Sequence, residues 1–241
     1  MKKRLKELKR LGVNAVEFTG DKMAFDVPVL GKGCVGIAVI AHTDRGKVAL
    51  KIRRVDADRA GMQYEAQMLK RANAIHVGPT LLDATGNFLL MEFVEGTLFP
   101  QWVEALTGRG TRYRVHIVLR SILEQCWRLD EAGLDHGELS RAPKHIIIDK
   151  NDCPRLVDFE TASVNRRVSN VTSICQYLFI GSQAAKRIKR KVGGVDSKEL
   201  INALRNYKQD RTRKSFEKIL RVCGLDKADR YGCGRNPSRY Q

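Results

Sequence analysis

The order of hydrophobic and polar positions divides the 241-residue chain into a strand-rich first part and a helix-rich second part. Leu5, Leu8 and Leu11 follow a helical spacing over residues 2–11, and Gly12 ends that helix. Alternating runs beyond it predict short strands, a glycine-rich hairpin over 29–41 and one further helix. The predicted strands are 13–18, 23–27, 47–52, 81–84 and 88–93, with a turn at 19–22 and the helix at 60–73.

After Gly96 the apolar positions return to a helical period. The expected helices are 98–106, 112–132, 170–192 and 197–222, and the expected strands are 146–149 and 155–158. This order predicts an α+β fold with two lobes, a β-rich N-lobe and a short α-helical C-lobe. The expected divisions are an N-terminal helix with leading strands over 1–28, an N-lobe over 29–95, a C-lobe over 96–225 and a loose tail over 226–241.

Three glycines, Gly31, Gly33 and Gly36, form a G-x-G-x-x-G pattern in the predicted hairpin. In dinucleotide-binding folds this pattern opens a helix, whereas here the apolar run 37–40 continues as a strand. Glycines in a hairpin allow the backbone to lie close over phosphate groups. The alternative interpretation is a flexible hairpin that binds nothing.

A lysine and a glutamate follow the hairpin at a suggestive spacing. Lys51 closes the apolar strand, and Glu65 lies 14 residues later on the next predicted helix. A lysine in this position can grip α- and β-phosphates, and an ion pair with the glutamate would hold it in place. Taken singly, each residue could equally be an ordinary surface charge.

Two acidic groups, Glu138 and Asp158, flank the predicted strand pair of the second part. One such group can orient an attacking hydroxyl, and the other can hold Mg²⁺ on the β- and γ-phosphates. Phosphoryl transfer needs positioning and charge neutralisation more than covalent chemistry, so few residues suffice. The glycine hairpin, the lysine, the helix glutamate and the acidic pair occur in this order with plausible gaps. A chance occurrence of all four is improbable, so the sequence favours a phosphotransferase.

Composition adds the partners that charge could attract. The net charge of +17 favours anions such as ATP, acidic proteins, anionic lipid or RNA, although an aromatic fraction of 7% offers little base stacking. The basic segments are 2–10, 185–191 and 211–214. The six cysteines have no zinc spacing and are expected to be reduced. Without an apolar run of about 20 residues or a signal segment, we expect a cytoplasmic protein with no membrane span.

With these motifs the chain resembles the protein-kinase-like superfamily over about residues 29–165. Residues 31–36 resemble its glycine-rich loop, residues 48–51 its lysine strand, residues 91–96 its hinge and residues 158–160 its D-F-G motif. The resemblance implies ATP and Mg²⁺ (or Mn²⁺) as cofactors, with Lys51, Glu138 and Asp158 in catalysis and Asp158, with His145 as a further candidate, on the metal. It implies ATP binding by Gly31, Lys32, Gly33, Cys34, Val35, Gly36, Ala49, Lys51, Glu65, Met91, Glu92, Phe93 and Val94.

The stretch His136-Gly137-Glu138-Leu139 and the short C-lobe are most similar to small atypical branches, above all the predicted serine/threonine kinases of archaea related to the RIO group. Three departures stand out. Glu138 replaces the family's catalytic aspartate, His145 stands where a metal-binding asparagine is expected, and Glu160 replaces the glycine of D-F-G. The resemblance implies a kinase acting on an alcohol group, with a protein substrate or partner. A nucleotide-binding pseudokinase or adaptor on RNA or a ribosomal particle is the alternative, and a small-molecule kinase is less favoured.

Overall fold

The structure is a computed structural model that describes residues 2–226, and it divides into two compact units. The first unit contains the chain up to Glu95 together with Val157–Ser163. The second contains Gly96–Leu156 and, of the described residues, 164–226. Strands dominate the first unit and helices the second, which confirms the predicted α+β class. Apart from Asp226, the predicted loose tail lies outside the described residues.

The first unit is built on an antiparallel sheet of six strands in the order β1-β5-β6-β8-β7, with β4 paired to β5. Strands β2 and β3 form a separate hairpin. The elements are α1 Lys2–Arg10, β1 Ala15–Glu17, β2 Lys22–Ala24, β3 Val27–Val29, β4 Gly31–Lys32, β5 Gly36–Thr43, β6 Gly46–Arg53, α2 Arg59–Ala74, β7 Leu81–Ala84 and β8 Phe88–Glu92.

Burial follows the alternation of the strands in this unit. Val39, Ala41 and Leu50 have no exposed surface, and they pack with Leu11, which follows α1, and with Leu90 of β8. Removing such side chains from water is the main stabilising contribution to a small sheet. The same alternation directs the intervening side chains, Ala49 and Lys51 among them, to the opposite face.

The chain bends at residues 20 and 21, within the predicted turn 19–22, but the strand predicted over 23–27 is wrong beyond Ala24. The chain instead reverses at Phe25 and Asp26, because Ala24 of β2 pairs with Val27 of β3 and leaves a two-residue loop. Both loop residues have positive φ, 50° and 63°, as in the type I′ turns that join tight hairpins. Aspartate tolerates this conformation, but an aromatic residue gives no signal for it, so the sequence offered no warning.

The second unit contains a three-stranded sheet, in the order β11-β10-β9, and six α-helices among its described residues. The helix predicted over 98–106 is found as α3, which begins one residue later, after the short strand β9. Strand β11 ends at Leu156, two residues before the predicted end. The elements are β9 Gly96–Leu98, α3 Phe99–Ala105, α4 Thr111–Glu131, a short 3-10 turn Leu139–Arg141, β10 Ile146–Asp149, β11 Pro154–Leu156, α5 Asn170–Phe179, α6 Gln183–Val192, α7 Ser197–Gln209 and α8 Arg213–Val222.

Each of the two long helices predicted after residue 170 is in fact a pair. The first is interrupted at Gly181, which has φ of 71°, and Ser182 caps the new helix by accepting a hydrogen bond from the Ala185 N–H. The second is interrupted before Thr212, which forms a capping box with Ser215. Hydroxyl caps of this kind satisfy N–H groups that a helix start leaves without partners.

The long helix α4 carries the core of the second unit. The predicted apolar stripe on this helix is confirmed, since Val115, Val118, Ile122, Leu123 and Leu129 have no exposed surface. The cysteine expectation is only partly right. Free thiols are found at Cys34, Cys126, Cys175 and Cys223, but Cys153 is disulfide-bonded. Across residues 2–226, no helix has the length and apolarity needed to cross a membrane.

Candidate functional site

The centre of the first unit's polar cluster is Lys51, which strand β6 directs away from the apolar core. Its Nζ lies 2.9 Å from Glu65 Oε1 and 2.8 Å from Glu65 Oε2. The same Nζ lies 3.2 Å from Asp158 Oδ1 and 2.9 Å from Glu160 Oε2. The ion pair with Glu65 confirms the contact predicted from their spacing. Lys51 thus faces three carboxylates within hydrogen-bond reach.

The lysine and its helix partner are removed from water, while the other two acids are less so. Exposed fractions of the side chains are 8% for Lys51, 3% for Glu65, 14% for Glu160 and 33% for Asp158. Burial lowers the pKa of Lys51, but attraction by the three carboxylates outweighs it and holds the pKa above its usual value. Burial raises the pKa of Glu65 to about 7, with Lys51 opposing the rise. The lysine therefore stays charged at every physiological pH.

The glycine-rich hairpin lies directly against this cluster. The Gly33 N–H donates to the Gly36 carbonyl at 2.8 Å, which closes a tight turn between β4 and β5. A Cβ added at Gly36 would stand 2.9 Å from Lys51 Cγ, and one added at Gly33 would stand 2.8 Å from Glu160 Oε2. Gly36 is thus required for close approach, since an added Cβ would also stand 3.1 Å from the Ile52 carbonyl oxygen, whereas the Glu160 side chain near Gly33 can move. Gly31 has more room, since its nearest neighbour would be the Ala38 Cβ at 3.8 Å.

Side chains of the loop between these glycines have different surroundings. Lys32 and Cys34 are exposed. Val35 packs towards α2, where its Cγ2 would lie 3.2 Å from a Cβ added at Gly61. The Val35 N–H donates to Glu160 Oε1 at 3.2 Å. Glu160 therefore joins the hairpin to the lysine, a contact that the sequence did not predict.

Asp158 is held in an unusual backbone conformation, with φ of 71°. The next residue, Phe159, is buried and packs against Gly78, where an added Cβ would meet the ring at 2.8 Å. Left-handed backbone at a non-glycine residue persists where the surroundings over-determine it, and such residues cluster at functional sites. The buried ring fixes the chain there and leaves the Asp158 carboxylate partly accessible.

The predicted hinge begins in the last strand of this sheet. Met91 and Glu92 end β8, and Met91 pairs with Ala49 of β6. The Glu92 carboxylate accepts hydrogen bonds from the N–H and the hydroxyl of Thr80, both at 3.0 Å. Its charge is thus used to fix the strand end. Phe93 and Val94 follow outside any strand and are half-buried.

In the second unit, Glu138 and His145 form a close pair. The Glu138 Oε2 lies 2.6 Å from His145 Nε2, and the ring is 1% exposed against 37% for the carboxylate side chain. The His145 N–H donates to the Ala142 carbonyl at 3.2 Å, which fixes the backbone before β10. A buried imidazole on a partly exposed carboxylate holds that carboxylate in one orientation. The contact can orient the Glu138 carboxylate, and a metal-ligand role for His145 stays a prediction.

Both carboxylate oxygens of the neighbouring acid, Asp135, accept hydrogen bonds within the second unit. It is buried, and it accepts hydrogen bonds from Arg166 Nε at 2.6 Å and from the Ser169 N–H at 2.8 Å. Such a carboxylate is poorly placed to serve as an alternative proton acceptor, because both oxygens already carry charge-assisted or backbone bonds. Glu138 therefore remains the stronger candidate for chemistry in this loop.

A buried network supports the same loop and was not anticipated. The Asp130 carboxylate accepts from Asn170 Nδ2 at 2.8 Å and from the Tyr207 hydroxyl at 2.9 Å. Asn170 Nδ2 also donates to the Leu134 carbonyl, and its Oδ1 accepts from the His136 N–H, each at 2.8 Å. These partners are far apart in sequence, so no spacing predicts the network. The one sequence signal for it is Asn170 at the start of a predicted helix.

The first unit thus brings together the glycine hairpin, Lys51, Glu65, Asp158 and Glu160, and the second brings together Glu138 and His145. The chemistry of the first group fits a nucleotide with a divalent metal. Carboxylate oxygens are the ligands that Mg²⁺ prefers, and Asp158, the most exposed of the three carboxylates, offers them. An ammonium with a nearby loop N–H suits phosphate oxygens.

Comparison with known proteins finds similarity in sequence to a protein kinase. No protein-family profile matches the chain. It is 27% identical over 132 residues to the serine/threonine-protein kinase YabT of Bacillus subtilis (strain 168), a match that covers 49% of this chain and 36% of YabT. The match therefore spans only about a third of that relative's length.

Among solved structures, the chain is similar to the Rio2 kinase–ADP/Mg²⁺–phosphoaspartate complex from Chaetomium thermophilum. The identity is 16% and the TM-score 0.49, over 92% of this chain and 74% of that chain. In sequence, part of the chain is thus similar to a serine/threonine-protein kinase.

Proposed function

We propose that the chain is an ATP-dependent phosphotransferase, a RIO-like serine/threonine protein kinase that transfers the γ-phosphoryl group to an alcohol. One observation carries the proposal: Lys51 Nζ contacts both Glu65 and Asp158 beside the glycine-rich hairpin. A lysine paired with a helix glutamate, beside an aspartate able to hold Mg²⁺, is the arrangement that protein kinases use for phosphoryl transfer from ATP. The match to a serine/threonine kinase supports the choice of acceptor class.

The first unit binds and orients the nucleotide in this proposal. Lys51 donates to phosphate oxygens, Asp158 holds Mg²⁺, and the backbone of the hairpin covers the phosphates. The hinge at Glu92, Phe93 and Val94 presents backbone groups to the adenine. When bound at Asp158, Mg²⁺ would supply positive charge to offset the charge on the phosphates.

Glu138 is the proposed acceptor of the hydroxyl proton. Its carboxylate is partly exposed, and His145 fixes its orientation at 2.6 Å. A positioned carboxylate can accept a proton as the acceptor oxygen attacks. The longer glutamate side chain thus takes the part that an aspartate plays in most of the superfamily, with the histidine setting its direction.

Replacement of Asp158 tests the proposed metal ligand. Asp158→Asn is expected to lower phosphate transfer by about 10²–10³-fold, because it removes charge that positions the metal on the phosphates. Transfer of label from γ-labelled ATP to the protein itself and to a generic acceptor protein, with Mg²⁺ or Mn²⁺, measures the effect. Asp21→Asn removes an exposed carboxylate elsewhere in the same unit and should leave the rate unchanged. Equal rates in wild type and Asp158→Asn would contradict the proposal.

A second candidate function is an adaptor that binds RNA and uses nucleotide only as a ligand. Helix α6 favours it, since its ten residues include five cations and no acid. Part of this positive charge is already paired with an acidic residue. Arg187 and Arg190 pair with Glu104, at 2.8 Å and 3.3 Å. Among the described residues, Lys186 and Lys189 have no acidic partner, so they are the cations of α6 best able to meet a phosphate backbone.

The salt dependence of RNA affinity tests whether the chain binds RNA. If this helix contacts several phosphates, affinity for a structured RNA should fall steeply between about 50 and about 200 mM salt. Lys186→Gln with Lys189→Gln should reduce the slope by about two counterions. Filter binding at several salt concentrations measures this slope, and a flat slope would reject RNA as the partner.

A further inference from the structure

Glu160 makes two contacts that bring it into the proposed phosphate site. Its Oε2 lies 2.9 Å from Lys51 Nζ, and its Oε1 accepts a hydrogen bond from the Val35 N–H at 3.2 Å. The side chain is 14% exposed, so both contacts are largely shielded from water. Each carboxylate oxygen of Glu160 therefore has its own donor, one on strand β6 and one on the glycine-rich hairpin.

These two donors are the groups that a phosphate would need. An ammonium and a backbone N–H of a glycine-rich hairpin together form an anion site. The hairpin lies directly on the carboxylate, since a Cβ at Gly33 would stand 2.8 Å from Glu160 Oε2. A phosphate oxygen and the Glu160 oxygens cannot occupy the same donors at once.

The net charge of the cluster around Lys51 also favours competition between Glu160 and phosphate. One ammonium faces the carboxylates of Glu65, Asp158 and Glu160, so the fully ionised cluster is already net negative. Nucleotide phosphates entering such a cluster are repelled until a carboxylate leaves or cations enter. Glu65 is held on its helix and Asp158 by the buried Phe159 next to it, whereas Glu160 reaches the site from the end of a flexible side chain.

We propose that Glu160 is an internal competitor for nucleotide, a clasp that holds the glycine-rich hairpin on Lys51 and must be displaced before phosphates bind. The clasp is defined by the contacts of the Glu160 carboxylate with Lys51 Nζ and the Val35 N–H. It rests on the proposed nucleotide site and adds a regulatory step to it. Only molecules with an open clasp bind nucleotide. The apparent affinity is therefore the intrinsic affinity multiplied by the fraction of molecules whose clasp is open.

Removal of the carboxylate tests the clasp. Glu160→Gln keeps the size of the side chain, and Glu160→Ala removes its reach. Each is expected to tighten binding of Mg²⁺·ATP by about tenfold or more, since a site that is closed about nine times in ten gives this factor. Asp21→Asn, which removes an exposed charge from the same unit, should leave the dissociation constant unchanged. Calorimetric titration at fixed salt measures all four proteins.

The titration separates failure of the clasp from failure of the nucleotide site. Equal dissociation constants in wild type and both Glu160 variants would overturn the clasp and leave the site. Weaker binding in the variants would also overturn it and would make Glu160 a metal ligand. Absence of binding in every protein, Glu160→Ala included, would overturn the proposed function itself.

A measurement without nucleotide tests the same contacts independently. Exchange of the Val35 amide hydrogen should be slow in the wild type, because that N–H is bonded to Glu160 in a shielded position. In Glu160→Ala it should accelerate by about tenfold or more, while amides at the centre of β6 stay unchanged. Equal exchange rates at Val35 in the two proteins would overturn the clasp, whatever the titration shows.

Discussion

Lys51→Met is expected to lower phosphate transfer by at least about 100-fold, because it removes the positive charge aimed at the phosphates. The loss should appear chiefly as weaker nucleotide binding, since the ammonium contacts the ground state as well as the transition state. Initial rates at several ATP concentrations separate the two. A rate within a few-fold of wild type would show that Lys51 does not contact the phosphates.

The same substitution should also destabilise the first unit, because Glu65 remains buried without its partner. Breaking a buried ion pair by removing one member costs about 3–5 kcal/mol. The double variant Lys51→Met, Glu65→Gln removes both charges and should recover most of that loss. Urea denaturation of the wild type and of both variants measures it, and failure of the second change to restore stability would contradict a buried pair.

The destabilisation should depend on pH. In the folded protein, burial raises the pKa of Glu65 from 4.5 to about 7. The folded state therefore holds this proton more tightly than the unfolded chain, and stability from Glu65 falls as pH rises between these two values. Without Lys51, which opposes the rise, the pKa lies higher still and the fall continues to higher pH. The stability gap between wild type and Lys51→Met should thus be wider at about pH 8 than at about pH 5.

Glu138→Gln is expected to lower the rate of transfer by about 10²–10⁴-fold, because an amide cannot accept the hydroxyl proton. Binding of Mg²⁺·ATP should be affected less than the rate, because a proton acceptor acts in the transition state and not on the bound nucleotide. Rate and affinity measured on the same preparation test both statements. A Glu138→Gln variant with the full transfer rate would remove Glu138 from the mechanism.

Glu138→Asp is the matched control, since it retains the charge and shortens the side chain by one methylene. The 2.6 Å contact with His145 depends on the longer side chain. We expect the shorter acid to lose that orientation and about 10–100-fold in rate, because a misplacement of about 1 Å costs about 10²-fold. A faster Glu138→Asp variant would indicate that the aspartate geometry of the wider superfamily still governs this loop.

Much of the first unit could be predicted because its signals are local. The period of apolar residues fixed the strands β5, β6 and β8, and the interval between Lys51 and Glu65 predicted their ion pair. Both depend on spacing along the chain, which sequence displays directly. The helix breaks near Gly181 and Thr212 were not predicted. The helical spacing of apolar residues continues across both breaks, so the capping residues there are not distinguished from residues inside a helix.

The contacts of Glu160 could not be predicted in the same way. The sequence showed an acid in place of a glycine, but the direction of its side chain depends on the backbone of the following turn. The contact with Val35 joins positions 125 residues apart, and no pattern of spacing predicts it. Likewise, the bond between Asp130 and Tyr207 joins two elements that meet only after the helices pack. Long-range side-chain contacts are results of packing and not of local propensity.

The central claim is that Lys51 and its carboxylate partners form a nucleotide site. Calorimetric titration of the wild type and Lys51→Met with Mg²⁺·ATP tests it most directly. We expect saturable binding by the wild type, and binding weakened by about 100-fold or lost in the variant. Equal binding by the two proteins, or none by the wild type and by Glu160→Ala, would contradict the account.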